Sequence, residues 1–130
     1  MAKVISIQPK YVKQIFQGLK KVEYRRANVN TEKGEKFFVY TTRPVKKVEG
    51  YFILKKKIRK DIETLWQETK HLTLGSKESF QNYFKGKKEG TALIIEKAVK
   101  FKNSKELKEF NVKKAPQLYA NTNKNLNFLK

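Results

Sequence analysis

Apolar positions along the chain follow two periods, and the switches between them mark out the elements. Residues 3–8 carry β-branched Val4, Ile5 and Ile7 and predict a strand. Pro9 suits the first turn of a helix, where its missing N–H costs nothing. Tyr11, Val12, Ile15 and Phe16 then share one helical face, and Gly18 stops the helix. Val22 and Tyr24 alternate with Lys21, Glu23 and Arg25, the period of a half-buried strand. After a polar loop over residues 27–34, Phe37-Phe38-Val39-Tyr40 predicts a strand covered on both faces. Residues 41–44 end it as a turn, with Pro44 biasing Arg43 toward an extended backbone. Residues 48–54 form another strand, in which Gly50 marks a bulge or a tight barrel corner.

The second half is more helical. Asp61 caps a helix whose Ile62, Leu65, Trp66 and Thr69 form a stripe, with Trp66 assigned to the core. Gly75 breaks that helix, and Ser76 caps a second one bearing Phe80, Tyr83 and Phe84 before Gly86. Residues 91–101 read as the last main strand, residues 104–110 as one helical turn, and residues 115–119 as a polar-aromatic turn. No internal repeat is present. Strands outnumber helices, and the helices are inserted between them. The expected fold is therefore α+β: a small mixed β-barrel of about five or six strands with two or three inserted α-helices. One domain is expected over residues 1–120, followed by a flexible Asn/Lys-rich tail over residues 121–130.

Composition narrows the chemistry. There is no cysteine and only one histidine, His71, which leaves no thiolate nucleophile and no Cys- or His-based metal cluster. No metal and no cofactor are expected. No apolar run reaches the length of a membrane span, and the start leads straight into strand-like sequence, so a cytoplasmic protein is expected. Charge is the loudest signal: 31 basic against 12 acidic residues, a formal net charge of +19. Such a surface attracts polyanions by counterion release and steering. An A/T-rich coding bias would explain lysine over arginine, but not so few carboxylates. Two basic clusters stand out, at residues 55–60 and 85–88. The first serves equally as a solvated, edge-protecting strand end or as a phosphate contact.

The stretch Gly18-Leu19-Lys20-Lys21-Val22-Glu23-Tyr24-Arg25-Arg26 concentrates charges of both signs behind the helix stop. On a strand Glu23 and Arg25 project from one face, roughly 7 Å apart, so Glu23 is placed to orient Arg25 or Lys20. Two of the chain's four arginines lie here, where a planar fork has a use that a lysine does not serve. The bland alternative is a solvated cross-strand charge face, contributing a few tenths of a kcal/mol per pair.

Taken together, Ser6-Ile7-x-Pro9, Gly18-x-Lys20-x-x-Glu23-x-Arg25, residues 40–50 and Tyr83-Phe84-Lys85-Gly86 resemble the ASCH domains of the PUA-like superfamily. Ala115-Pro116-Gln117-Leu118-Tyr119 resembles the Pro-Gln-Ser-aromatic ending of one bacterial and archaeal subgroup. The likeness covers nearly all of residues 3–119. It implies a PUA-like barrel with a cleft beside the first helix, which relatives use to bind RNA or a modified nucleoside. One branch hydrolyses N4-acetylcytidine with a lysine, a threonine three residues later and a distant glutamate. Lys20 matches that lysine, Glu23 stands where the threonine would be, and only Glu68 and His71 lie in the region of the glutamate. Some relatives have been proposed to cleave RNA.

Three functions stay open at this point. The first is an RNA- or modified-nucleoside-binding module whose candidate residues are Lys20, Glu23, Arg25, Arg43, Lys46, Gln117 and Tyr119. Lys20 and Arg25 would engage a phosphate or a base edge, with Glu23 orienting them. Tyr24, Tyr40 or Tyr119 would stack on a base. The second is a metal-independent hydrolase of RNA or a modified nucleoside in which Lys20 acts as base or nucleophile and Glu23 shuttles protons. The carboxylate beside Lys20 favours its charged form and argues the other way. The third is a regulatory domain holding a small anionic metabolite, for which the helix start at Pro9 offers free backbone N–H groups.

Overall fold

The computed structural model describes residues 2–122. Its elements run β1 (Ala2–Ile7), α1 (Pro9–Phe16), β2 (Val22–Arg25), β3 (Lys36–Thr41), β4 (Lys47–Asp61), α2 (Ile62–Thr69), α3 (Lys77–Tyr83), β5 (Glu89–Lys105) and β6 (Tyr119–Thr122). Short 3₁₀ turns occupy Lys70–Leu72 and Leu107–Phe110. The strands make one six-stranded sheet in the order β2-β5-β4-β3-β1-β6. β1 and β3 pair in parallel, and every other pairing is antiparallel.

The two long strands set the curvature. The β4–β5 ladder shifts register three times, between Val48 and Gly50, Ile53 and Leu54, and Leu54 and Lys56. Each irregularity bends a strand and adds twist, which rolls the sheet into a barrel-like shape. At the corner a Cβ on Gly50 would sit 2.3 Å from the Val99 carbonyl oxygen and 2.6 Å from the Phe16 ring. Only glycine lets α1 press its last aromatic residue onto the sheet there.

β3 is covered on both faces, as its unbroken apolar run predicts. Phe37 and Val39 join the core under α1 with Ile5, Ile15, Phe52 and Leu93. Phe38 and Tyr40 join a second core with Val4, Val48 and Phe110. A third core fixes α2 and α3 to β2 and β5 through Leu65, Trp66, Phe80, Phe84, Val22 and Ile94. The predicted caps are formed: the Asp61 carboxylate accepts from the Thr64 amide at 3.0 Å, and the Ser76 hydroxyl from the Ser79 amide at 3.1 Å. Pro9 opens α1, and Gly18, at φ +78°, turns the chain out of it.

Several boundaries move relative to the sequence reading, the largest being β4, which runs on from residue 54 through the basic cluster to Asp61. Residues 104 and 105 stay in β5, and only Leu107–Phe110 coils. Asn121 and Thr122 belong to β6, where they pair with Lys3 and Ala2, while the remainder of the tail, residues 123–130, lies outside the described residues. No helix among the described residues is long and apolar enough to cross a membrane.

Candidate functional site

β2 is an edge strand, and the site is built on it. The α1 terminus hands the chain over: the Leu19 and Lys20 amides both donate to the Gln14 carbonyl, at 3.0 and 3.2 Å. That turn points the Lys20 side chain inward. β2 then pairs with β5 in the register Glu23↔Leu93 and Arg25↔Thr91. The charged face of β2 is thus covered and not solvated, with Lys20, Glu23 and Arg25 left 5%, 7% and 9% exposed.

One carboxylate divides its oxygens between two cations. Glu23 Oε2 accepts from Arg25 Nε at 3.0 Å and lies 2.9 Å from Arg25 Nη2. Glu23 Oε1 faces Lys20 Nζ at 3.5 Å. Arg25 has further partners. It donates through Nη2 to the Ser6 carbonyl of β1 and through Nη1, at 3.4 Å, to the Leu118 carbonyl just before β6. Among the described residues the edge strands β2 and β6 share no main-chain ladder, and Arg25 joins these two sides of the sheet. Its planar fork satisfies carboxylate and carbonyls together, which a lysine would not. Arg25 thereby fixes Glu23 against the ends of β1 and β6.

Lys20 is held differently. Its ammonium donates to the Val22 carbonyl and stands 5.3 Å from the Tyr11 ring centre and 5.5 Å from that of Tyr24. Ring faces stabilise a cation without consuming its N–H donors. The group therefore keeps one donor for a ligand.

These side chains line a cavity of about 350 Å³. Its charged floor is Lys20, Glu23 and Arg25; Tyr11, Tyr24, Trp66 and Tyr83 supply aromatic surface; Thr73 to Ser76, between α2 and α3, border it. Its size sits at the low end of the roughly 300–1,000 Å³ typical of small-molecule sites. Tyr24 donates to Thr69 Oγ1 at 2.6 Å, and that hydroxyl donates to the Leu65 carbonyl at 2.7 Å. Tyr83 donates to the Tyr24 carbonyl at 3.1 Å. Burial pushes both phenols above their ordinary pKa, so both remain neutral donors at pH 7. Ser6 also borders the cavity, and its hydroxyl oxygen is buried with no hydrogen-bond partner among the described residues.

The other predicted site residues lie elsewhere. Arg43 and Lys46 are exposed on the β3–β4 turn, Gln117 is exposed before β6, and the Tyr119 ring sits under Lys3 Nζ at 5.4 Å. None of the four lines the cavity. Tyr40 is core. Glu68 pairs with Lys60 at 2.7 Å on the surface, and His71 is exposed; neither reaches Lys20's cavity. Trp66 is core, as expected, but it also forms part of the wall. Ser6, Tyr11 and Tyr83 were not among the predicted site residues. The Ser6-Ile7-x-Pro9 and Tyr83-Phe84-Lys85-Gly86 motifs carried the first and the last, but no local spacing tells that Tyr83 arrives opposite β2. Among the described residues no three His, Asp or Glu side chains converge as a metal site.

Comparison with known proteins places this geometry. The ASCH domain model matches residues 5–122. An ASCH domain-containing ribonuclease from Zymomonas mobilis is 34% identical over 92 residues, covering 71% of this chain and 62% of the relative. The large ribosomal subunit protein uL22 of Ureaplasma parvum is 34% identical over 115 residues, covering 87% of this chain and 36% of that protein. The chain thus spans about a third of the uL22 relative and under two thirds of the ribonuclease. The crystal structure of ASCH from Zymomonas mobilis superposes with a TM-score of 0.83 at 28% identity, covering 92% of this chain and 85% of that one.

Proposed function

The chain belongs to the ASCH domain family, and on that premise we propose that it binds RNA, or a modified nucleoside, by taking one base into the cavity over Lys20. The subgroup with a Pro-Gln-x-aromatic ending is part of the same proposal, carried by Pro116, Gln117 and Tyr119. One observation carries the reading: a buried ammonium at the wall of an aromatic cavity just large enough for a base and its sugar. Neutral tyrosines offer π-faces for stacking, worth roughly 1–3 kcal/mol per base. The ammonium offers a directed donor to a base carbonyl or a phosphate oxygen. The net charge of +19 supplies long-range attraction for a polyanion. The relative named a ribonuclease makes RNA the first ligand to test. A domain that fills 36% of one relative suits a portable binding module.

Binding of a labelled single-stranded RNA, and competition by free nucleosides, tests the reading. Lys20→Met keeps the stem packed between the rings and removes the charge; it should weaken binding at least tenfold. Unchanged affinity would remove Lys20 from the site. The second reading, hydrolysis of RNA or of an acetylated nucleoside, is favoured by the ribonuclease relative alone. Incubation with single-stranded RNA and with N4-acetylcytidine, followed by product analysis, decides it. Neither fragments nor cytidine, under conditions where binding is measured, would leave the binding module.

A further inference from the structure

The geometry points to a nucleic-acid strand, not a free nucleoside, as the ligand: the phosphates flanking the bound base run onto a second basic surface reached through Arg26. This rests on the proposed base-binding role of the cavity and extends it.

Arg26 is the joint. It lines the cavity and also an open dish formed with Arg59, Lys87 and Lys88. Alternation along the chain sends Arg25 inward and Arg26 outward, where its Nε donates to the Tyr83 carbonyl at 2.8 Å. Its guanidinium lies 4.0 Å over the Tyr83 ring. Tyr83 is itself a cavity wall. The stacked guanidinium is therefore fixed at the cavity mouth, and both terminal nitrogens remain for an anion. Arg59 is fixed as well, donating to the Arg26 carbonyl at 3.2 Å and to Thr91 Oγ1 at 2.7 Å.

The dish carries four cations and two carboxylates, Asp61 and Glu89. Both carboxylates are engaged: Asp61 caps α2, and Glu89 lies 3.9 Å from Arg59 Nε. Lys87 and Lys88 are exposed, form no ion pair among the described residues, and come from the loop after α3. Cations from three separate segments thus converge next to a hole that takes one base. A nucleoside would use the hole and leave the dish empty. A strand would use both, its phosphates on the Arg26 terminal nitrogens and the two lysines and its base in the hole.

The test uses the full chain, a fluorescent random-sequence RNA hexamer and an equimolar mixture of the four ribonucleosides as competitor. The wild type should bind the hexamer at least tenfold more tightly than the nucleosides. Lys87→Ala/Lys88→Ala should weaken the hexamer about 3–10-fold, flatten its log K against log salt slope by roughly 1.4 at about 0.7 per phosphate, and leave nucleoside competition unchanged. Lys102→Ala/Lys113→Ala, also on exposed lysines and away from the dish, is the control. Equal slopes for the two double variants would overturn the strand proposal. So would nucleosides that match the hexamer while Lys20→Met still abolishes both, a result that keeps the cavity reading. Binding of neither probe would sink both. Arg26→Ala, which touches both the cavity and the dish, should weaken the hexamer at least as much as the loop variant, and melting curves confirm that all variants fold.

Discussion

Replacing Arg25 by alanine should injure the fold before it injures the ligand site. Arg25 is 9% exposed, and its guanidinium contacts Glu23 twice, at 2.9 and 3.0 Å, as well as the Ser6 and Leu118 carbonyls. Its removal leaves a carboxylate 7% exposed whose remaining cation is 3.5 Å away. Breaking one partner out of a buried pair costs about 3–5 kcal/mol. A domain of this size is stable by roughly 5–15 kcal/mol, so the loss is a large share. At roughly 4 °C per kcal/mol the melting temperature should fall by about 12–20 °C. Arg25→Lys keeps the charge without the fork and should lose about half as much. Arg25→Ala/Glu23→Gln removes both charges, and the double-mutant cycle should show coupling above about 1 kcal/mol. Thermal and urea melts measure the size, and hydrogen exchange locates it: protection should fall in β1 and β6, the sides that Arg25 joins to β2. An Arg25→Ala protein that melts within 2 °C of the wild type while losing RNA affinity would refute this assignment, because Arg25 would then be a ligand contact.

Ser6→Ala should leave the free protein as stable as the wild type or up to about 1 kcal/mol more stable, since the hydroxyl has no partner to lose. It should weaken RNA two- to tenfold; a stability loss above 1 kcal/mol in urea would show a hidden partner. Tyr24 and Tyr83 ionise less readily folded than unfolded. Their stabilising contribution is therefore complete below the ordinary phenol pKa near 10 and is lost as pH rises through the higher folded values. Urea midpoints should drop above pH 10, and the drop should shrink in Tyr24→Phe and Tyr83→Phe; identical profiles would contradict the burial argument. Gly50→Ala places a methyl 2.3 Å from a backbone oxygen and should cost at least about 1–3 kcal/mol, read from the same melts.

The parts of the fold legible in the sequence are those written in local spacing. The two-sided burial of β3 follows from four consecutive apolar residues, and both helix caps follow from Asp61 and Ser76 standing just before apolar stripes. The Lys20–Glu23–Arg25 cluster was legible because its spacing on a strand puts two side chains on one face. What Arg25 does there was not. Its partner carbonyls are 19 and 93 positions away, and a carbonyl looks the same in every residue. The cavity's far wall was hidden for a similar reason: Tyr83 meets β2 only after α2 and α3 dock through Trp66 and Phe80. Arg43, Lys46, Gln117 and Tyr119 were drawn in as cations and motif residues near strand ends. The β3–β4 turn and the β6 approach point them away from the cavity.

Why the proposed ligand contact falls to Lys20 and not Arg25 comes down to the geometry of one carboxylate. Glu23 has two oxygens, and the guanidinium holds Oε2 with two N–H groups at hydrogen-bond distance. Two cationic nitrogens converging on one oxygen make this the shorter and stronger partnership. Lys20 is left with the second oxygen at 3.5 Å, a long contact, and with ring faces that hold charge but accept no proton bond at full strength. The trio of two cations and one carboxylate keeps a positive charge on side chains of residues less than a tenth exposed, a costly arrangement for the free protein. An incoming acceptor oxygen relieves it. The same relief is available to the Ser6 hydroxyl if the ligand turns it from its unpaired state. The free protein thus carries an unmet donor and an unmet hydroxyl on one wall, and a base edge, unlike a bare phosphate, offers both an acceptor and a stacking face to meet them.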